Sequence, residues 1–279
     1  MTEHPNSERV ALRVTGFHVV AVALVFVFVN LFSVWRSLGE AFGLGVRDAL
    51  PWIAVGALVA AGICLLSVRR WRMQVTWSWL AASALACAAG LAIADPDFPA
   101  KRIHVPEYFL LASVVWLSVP ARLRTPATPV LVLACAALYG VHDEFLQGLS
   151  PNRSYGLRDM LVNLCGVAGG TFAFTAFGGV PRSNAVSHHQ AGLGPRAFAA
   201  LAASLAGAVL FAWAATGYRN DILPYWSLLP VLAGAFCTVL AAGRLARPGD
   251  RLTMLALSAS CMAFLIYPVL THVTRLDFA

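Results

Sequence analysis

Charged residues are scarce in this chain, and lysine is almost absent. Only 12% of the 279 residues are charged, and Lys101 is the only lysine among 20 basic residues. A soluble domain carries about 25% charged residues. Here 59% of the residues are hydrophobic, and the mean hydropathy is +0.73. This composition argues against an ordinary soluble protein and predicts an integral membrane protein.

The sequence also lacks a CxxC pair and a clustered basic patch. Its six cysteines lie singly in apolar runs, which predicts small buried side chains and not a disulfide framework or a zinc site. The net charge is +7, but the arginines are single or in short clusters between apolar runs. That pattern is typical of orientation signals and lipid headgroup contacts, whereas a nucleic-acid face needs a clustered patch. We therefore expect membrane lipids as partners, with no nucleic acid, no metal and no cofactor.

Apolar runs long enough to cross a bilayer recur along the whole chain. A span needs about 20 mostly apolar residues, and open sheet edges cannot be satisfied in lipid. The sequence therefore predicts an all-α, polytopic bundle of about nine transmembrane helices. The first run has no small-residue cleavage site after it, so we expect a retained helix and not a signal peptide. The nine candidate spans are residues 16–35, 49–68, 76–95, 104–121, 127–148, 157–178, 197–216, 223–243 and 252–272.

A polar stretch at residues 181–196 divides these runs unequally. We interpret it as a linker, with an N-terminal three-helix region (1–95) and a central three-helix region (96–180) before it. A C-terminal three-helix region (197–279) follows. With the N-terminus in the cytoplasm, 12 basic residues fall on the inner side and 8 on the outer side. The positive-inside rule then favours a cytoplasmic N-terminus and an external C-terminus.

The central region contains most of the ionisable and amide side chains that lie at or beside a span. Such residues lie at the start of its first helix, at the end of its second and at the start of its third. Because consecutive spans run in opposite directions, these three helix ends lie on the same membrane face. With a cytoplasmic N-terminus that face is the outer one. The candidate binding residues are Lys101, His104, Glu107, Tyr108, Asp143, Glu144, Gln147, Arg153, Asp159 and Asn163.

Helical spacing places several of these residues together. Asp143 and Gln147 are separated by four positions and share a face. Asp159 and Asn163 begin a face that continues through Gly166 and Gly170. The two glycines form a GxxxG motif, which lets a neighbouring helix approach closely.

The adjacent acids Asp143 and Glu144 need partners, because a charged residue at mid-span costs about 2.5–3.5 kcal/mol even on the mildest insertion scale. The nearest cations in the sequence are Lys101, Arg102, Arg153 and Arg158. Two interpretations follow: a structural ion network, or a functional polar site at the membrane surface.

At these residues the chain resembles the VanZ-like family of bacterial membrane proteins, over about residues 96–180. The shared pattern is a basic residue with a following histidine and aromatic residue, then D-E-x-x-Q, a proline and arginine turn, D-x-x-x-N and G-x-x-x-G. In this sequence it consists of Lys101, His104, Tyr108, Asp143, Glu144, Gln147, Pro151, Arg153, Asp159, Asn163, Gly166 and Gly170. The resemblance implies a bacterial plasma membrane location, a role in the cell envelope and a link to resistance against glycopeptide antibiotics. It supplies no reaction.

Three functions therefore stay open at this point. The first is a binding or transport-like envelope protein whose outer-face pocket recognises an anionic lipid or cell-wall precursor group. The second is a membrane enzyme acting on a lipid-linked phosphate or glycan, with carboxylates and His104 holding a divalent metal or one carboxylate acting as general base. The third is a structural scaffold for envelope assembly.

Overall fold

The computed structural model describes residues 5–68, 75–149, 153, 155–179, 194–245 and 248–274. Most of the predicted linker, residues 181–193, lies outside them. Short 3₁₀ turns at Pro99–Ile103, Ala121–Leu123 and Tyr225–Leu228 connect the helices. The helices are α1 (Pro5–Phe42), α2 (Leu44–Ser67), α3 (Trp77–Ile93), α4 (His104–Ser118), α5 (Thr128–Gly148), α6 (Leu157–Phe174), α7 (Pro195–Thr216), α8 (Leu229–Ala242), α9 (Pro248–Ala263) and α10 (Ile266–Thr274).

The all-α architecture is confirmed, since the described residues contain no strand. Each of the nine predicted runs is helical, the last as α9 and α10 together. By length and composition, seven helical segments of the described residues can cross a membrane. The other two predicted runs form shorter helices, α3 with 17 residues and α4 with 15. Backbone N–H and C=O groups in lipid must be satisfied within the chain, which is why apolar runs of this length become helices.

Helix α5 lies at the centre of the bundle. In its most apolar stretch 72% of the residues are buried, against 6% for α2 at the periphery. Helices α1, α4, α6, α7 and α9 contact α5, while α3 and α8 pack against α6 and α9 respectively. The N-terminal and C-terminal regions thus both contribute walls to the central region, and polar residues on α5 can be enclosed by protein and not by lipid.

Helix α6 approaches α4 closely at the GxxxG motif. A Cβ atom at Gly166 would lie 2.6 Å from the carbonyl oxygen of Val105, and one at Gly170 would lie 2.5 Å from that of Phe109. Neither position has room for a side chain unless the α4 backbone moves. This close approach brings the start of α4, with its polar side chains, against the start of α6.

We expect Gly166→Ala and Gly170→Ala to destabilise the protein by about 1–3 kcal/mol each, because overpacking against rigid backbone forces the helices apart. Thermal unfolding of the purified variants in one detergent measures the effect. Gly62→Ala on α2 is the matched control: no atom lies within 4 Å of its added Cβ, so the better helix propensity of alanine should leave the protein as stable or slightly more stable. Equal melting temperatures for all three variants would contradict the close packing of α4 on α6.

Candidate functional site

The three helix ends of the central region meet at one level of the bundle. The 3₁₀ turn before α4 carries Lys101, and the first turns of α4 carry His104, Glu107 and Tyr108. The last turns of α5 carry Asp143, Glu144 and Gln147, the following loop carries Arg153, and the first turns of α6 carry Asp159 and Asn163. Eight of these ten side chains are buried, and the exceptions are Lys101 and Arg153. We call these ten residues the polar cluster.

Glu144 connects α5 to α6 and to the loop between them. One of its carboxylate oxygens accepts a hydrogen bond from the Asn163 side-chain amide at 3.3 Å, and the other accepts one from the Gly156 backbone N–H at 3.2 Å. The same Asn163 amide also donates to the backbone carbonyl of Gly140 at 3.3 Å. Glu144 is 0% exposed, so these donors replace the hydrogen bonds that water would make to the carboxylate.

Asp143 reaches the loop through Gln147. The Gln147 side-chain amide donates to Asp143 Oδ2 at 2.7 Å, and its own carbonyl oxygen accepts from Arg153. The Arg153 guanidinium also donates to the backbone carbonyl of Val29 in α1 at 2.6 Å and lies 4.8 Å from the centre of the Phe32 ring. Arg153 therefore ties the loop to both α5 and α1.

Arg153 keeps its positive charge although it is partly buried. Loss of solvation lowers the pKa of the guanidinium, and the nearby carboxylates of Asp143 and Glu144 raise it. Arginine starts from so high a pKa that it stays charged at neutral pH. Arg153 is thus a permanent positive charge beside two buried acids.

Two further pairs complete the polar cluster. Lys101 Nζ donates to Asp159 Oδ2 at 2.6 Å, which links the turn before α4 to the start of α6. His104 Nδ1 lies 3.2 Å from Glu107 Oε2. Two other cations that the sequence suggested as partners for Asp143 and Glu144 contact different residues. Arg158 is 3.6 Å from Asp95, and Arg102 lies 5.9 Å from the Trp52 ring.

Neither Asp143 nor Glu144 takes part in an ion pair with any residue that the structure describes. Their partners are amides and a backbone N–H, which cannot neutralise a charge. Such an arrangement is costly in an apolar surrounding, because an unpaired buried charge has lost most of its solvation. The interpretation of the cluster as a self-neutralising ion network therefore does not account for these two acids.

A cleft of about 770 Å³ opens beside the polar cluster. Five cluster residues line it, and the other five lie behind them. Helices α1 and α2 form the opposite wall. We call this the cation–aromatic cleft, because its lining contains four cations (Arg36, Arg47, Lys101, Arg153) and four aromatic residues (Phe28, Phe32, Trp35, Phe98), together with Ala100, Ile103, His104, Glu107, Gln147, Gly39, Glu40 and Leu44.

Sequence reasoning missed the wall that α1 and α2 contribute. This wall includes four residues at helical spacing near the end of the first predicted span, namely Phe28, Phe32, Trp35 and Arg36. Aromatic residues and arginine at a span end are the usual membrane-interface signature. That signature identifies the interface, but it does not predict which other helix ends face the same space.

Several buried polar atoms of the cluster have no hydrogen-bond partner among the residues described. They are His104 Nδ1, Tyr108 Oη, Asp143 Oδ1, Asp159 Oδ1 and Asn163 Oδ1. His104 lies beside Glu107 and Tyr108 beside Asp143. Buried polar atoms in proteins are nearly always hydrogen-bonded, so Asp159 Oδ1 and Asn163 Oδ1 are the atoms that call for water or a bound group. No three His, Cys, Asp or Glu side chains of the described residues are grouped closely enough to form a metal site.

Comparison of the chain with protein-family models, with curated proteins and with solved structures gives no match.

The two buried acids should respond differently to loss of the charge. Both Glu144 oxygens accept hydrogen bonds, so Glu144→Gln turns an amide NH₂ toward one donor and should cost about 1–3 kcal/mol of stability. Only Oδ2 of Asp143 accepts one, so Asp143→Asn can place its NH₂ at the free position and should cost less. Thermal unfolding of both variants in the same detergent measures the difference. An equal loss would mean that the charge, and not the acceptor geometry, determines stability here.

Proposed function

We propose that the cation–aromatic cleft binds the anionic, phosphate-type headgroup of a membrane lipid or a lipid-linked cell-wall precursor. The protein then acts by binding or transport and not by catalysis. The observation that carries the proposal is the combination, in one cleft at the helix ends, of four cations with four aromatic side chains. Phosphate is recognised by arginine and lysine donors, and aromatic side chains at a membrane interface accommodate an apolar chain.

The cations of the cleft differ in how much of their charge is already paired. Lys101 pairs with Asp159, and Arg47 pairs with Asp48 at 2.9 Å. Arg36 has no ion pair with any described residue and lies 5.4 Å from the Phe32 ring. Arg153 donates to carbonyl oxygens only. Arg36 and Arg153 are therefore the two arginines best placed to accept a phosphate.

Acidic residues offset much of the positive charge of the cleft. Glu40 and Glu107 are the two acids among its lining residues, against four cations. Glu107 also lies beside His104. The two arginines without an ion pair to a described residue, Arg36 and Arg153, favour an anionic ligand over a zwitterionic one, because a zwitterion brings a cation that they would repel.

The resemblance to the VanZ-like family supports an envelope role for this site. Four of the residues that carry the resemblance line the cleft, namely Lys101, His104, Gln147 and Arg153. A fifth, Asp159, contacts Lys101. A ligand that belongs to the cell-wall precursor pathway would link the protein to glycopeptide resistance. On the inferred orientation the cleft faces the outside of a bacterial plasma membrane, where such precursors are used.

Binding of two anionic lipids tests the proposal. We expect the purified protein to bind both phosphatidylglycerol and farnesyl phosphate more tightly than phosphatidylcholine, measured by native mass spectrometry from one detergent. Arg36→Gln should weaken binding of both anionic lipids about tenfold, because it removes one charge-assisted contact of about 1.5 kcal/mol. A preference for farnesyl phosphate over phosphatidylglycerol would identify a prenyl-linked precursor as the ligand, and the reverse preference would identify a bulk lipid.

Arg102→Gln is the matched control for Arg36→Gln. Arg102 follows Lys101 directly but contacts Trp52 and does not line the cleft. Its loss should leave the binding of both anionic lipids unchanged. Equal weakening in the two variants, or equal binding of phosphatidylcholine by the wild-type protein, would reject the cleft as the headgroup site.

The orientation is tested separately. Reporter fusions within residues 181–196 are expected to be active only in the cytoplasm, and fusions after residue 279 only outside it. The reason is the excess of basic residues on the side of the N-terminus. An external reporter signal from residues 181–196 would place the cleft on the inner face of the membrane.

A further inference from the structure

A second cavity shares no lining residue with the cation–aromatic cleft. It measures about 690 Å³ and is a groove lined by α1, α5, α9 and α10, with exposed side chains such as Phe26 and Ile266 at its edge. We call it the histidine groove. Its lining consists of Val14, Thr15, His18, Val22, Val25, Phe26, Tyr139, His142, Leu146, Leu252, Leu255, Ala256, Ala259, Ser260, Met262, Ala263, Ile266 and Tyr267.

The lining of the histidine groove is apolar apart from a few placed polar groups. It contains no aspartate, glutamate, lysine or arginine. Small-molecule sites are mostly apolar cavities of about 300–1,000 Å³ with a small number of polar groups that fix orientation. The composition fits an uncharged ligand, since an ion would find no counter-charge there.

Four polar residues of the groove form two hydrogen-bonded pairs. His18 Nδ1 lies 2.7 Å from the Tyr139 hydroxyl. His142 Nδ1 lies 2.8 Å from the Tyr267 hydroxyl, and His142 Nε2 lies 2.8 Å from the carbonyl oxygen of Ser260. Both nitrogens of His142 are therefore satisfied, whereas the second nitrogen of His18 is not.

His18 Nε2 is buried and has no hydrogen-bond partner among the described residues. We assign the Tyr139 hydroxyl as the donor to His18 Nδ1, because the described structure shows no other acceptor for that hydroxyl. The tautomer is set by that bond, and the proton of the neutral ring then sits on Nε2. His18 thus presents an unused N–H donor in a residue that is only 8% exposed.

Ser260 supplies a second unused group. Its hydroxyl is buried and unpartnered among the described residues, and the residue is 6% exposed. Leaving a buried donor without a partner is costly, and most such groups in proteins are paired. Two unused donors in an apolar groove therefore call for acceptor atoms on a ligand.

His18 lies too far from the polar cluster to be reached by a ligand bound there. Val29, which receives the Arg153 hydrogen bond at the polar cluster, lies eleven residues further along α1. At the helical rise this is about 16 Å. His18 therefore lies well away from that membrane surface, so a headgroup held at the polar cluster cannot reach it.

From these observations we infer that the histidine groove binds an uncharged, membrane-soluble molecule that carries a carbonyl oxygen, held by a hydrogen bond from His18 Nε2 with Ser260 as a second donor. A ring or chain attached to the carbonyl fills the apolar remainder of the groove. This site is independent of the cation–aromatic cleft.

Two probes of similar hydrophobicity test the inference. One is a fully substituted benzoquinone with a decyl chain, which has carbonyl oxygens and no position open to thiol addition. The other is decylbenzene, which has no carbonyl oxygen. Calorimetric titration of the purified wild-type protein in detergent should show at least tenfold tighter binding of the quinone. Equal binding of the two probes, or no binding of the quinone, would overturn the inference and leave the groove as a surface filled by acyl chains.

Variants then locate the contact. His18→Phe keeps an aromatic ring but removes the N–H, and should weaken quinone binding about tenfold while leaving decylbenzene unaffected. Ser260→Ala should weaken it about threefold. The matched controls are His272→Phe and Ser258→Ala, because His272 contacts Leu223 and Ser258 contacts Ala235, both outside the groove. Unchanged quinone affinity in His18→Phe, or an equal loss in the controls, would reject His18 as the donor.

Discussion

Glu144 accepts hydrogen bonds from the side chain of Asn163 and from the backbone of Gly156, and in doing so it fixes the end of α5 to the loop and to α6. It does this while fully buried and without an ion pair to any residue that the structure describes. Gln147 joins Asp143 to Arg153, and the Gly156 backbone before α6 is held by Glu144. The buried carboxylate of Glu144 thus fixes how the end of α5, Gly156 and the start of α6 lie relative to one another.

Hydropathy and the spacing of helix ends predicted much of this arrangement. The apolar runs are helical as expected, and the three polar helix ends of the central region meet, because consecutive antiparallel helices leave no other place for them. The GxxxG face of α6 meets backbone of α4, although the motif alone does not name its partner. These features follow from local periodicity and chain order, which a sequence displays directly.

What the sequence did not predict are contacts between distant elements. Arg158 was a candidate partner for the buried acids, yet it contacts Asp95 and the backbone of Ile93. Its position one residue before Asp159 on α6 turns it away from α5, toward α3. The aromatic wall from α1 and the pairing of His18 with Tyr139 were missed for the same reason. A histidine or a phenylalanine in an apolar run does not indicate which other helix the run packs against.

Helix α5 carries polar side chains over a broad arc, and this explains why it lies in the centre of the bundle. Gln147 lines the cation–aromatic cleft with Asp143 behind it, while Tyr139 and His142 line the histidine groove. A helix with a narrow polar face can keep its opposite face in lipid, but a helix with a broad polar arc cannot, since ionisable groups exposed to lipid are costly. Helices from both ends of the chain must therefore surround α5. The flanking regions are then more than anchors: α1 provides the second wall of the cleft and one wall of the groove, so each cavity requires parts of the chain that lie far outside the central region.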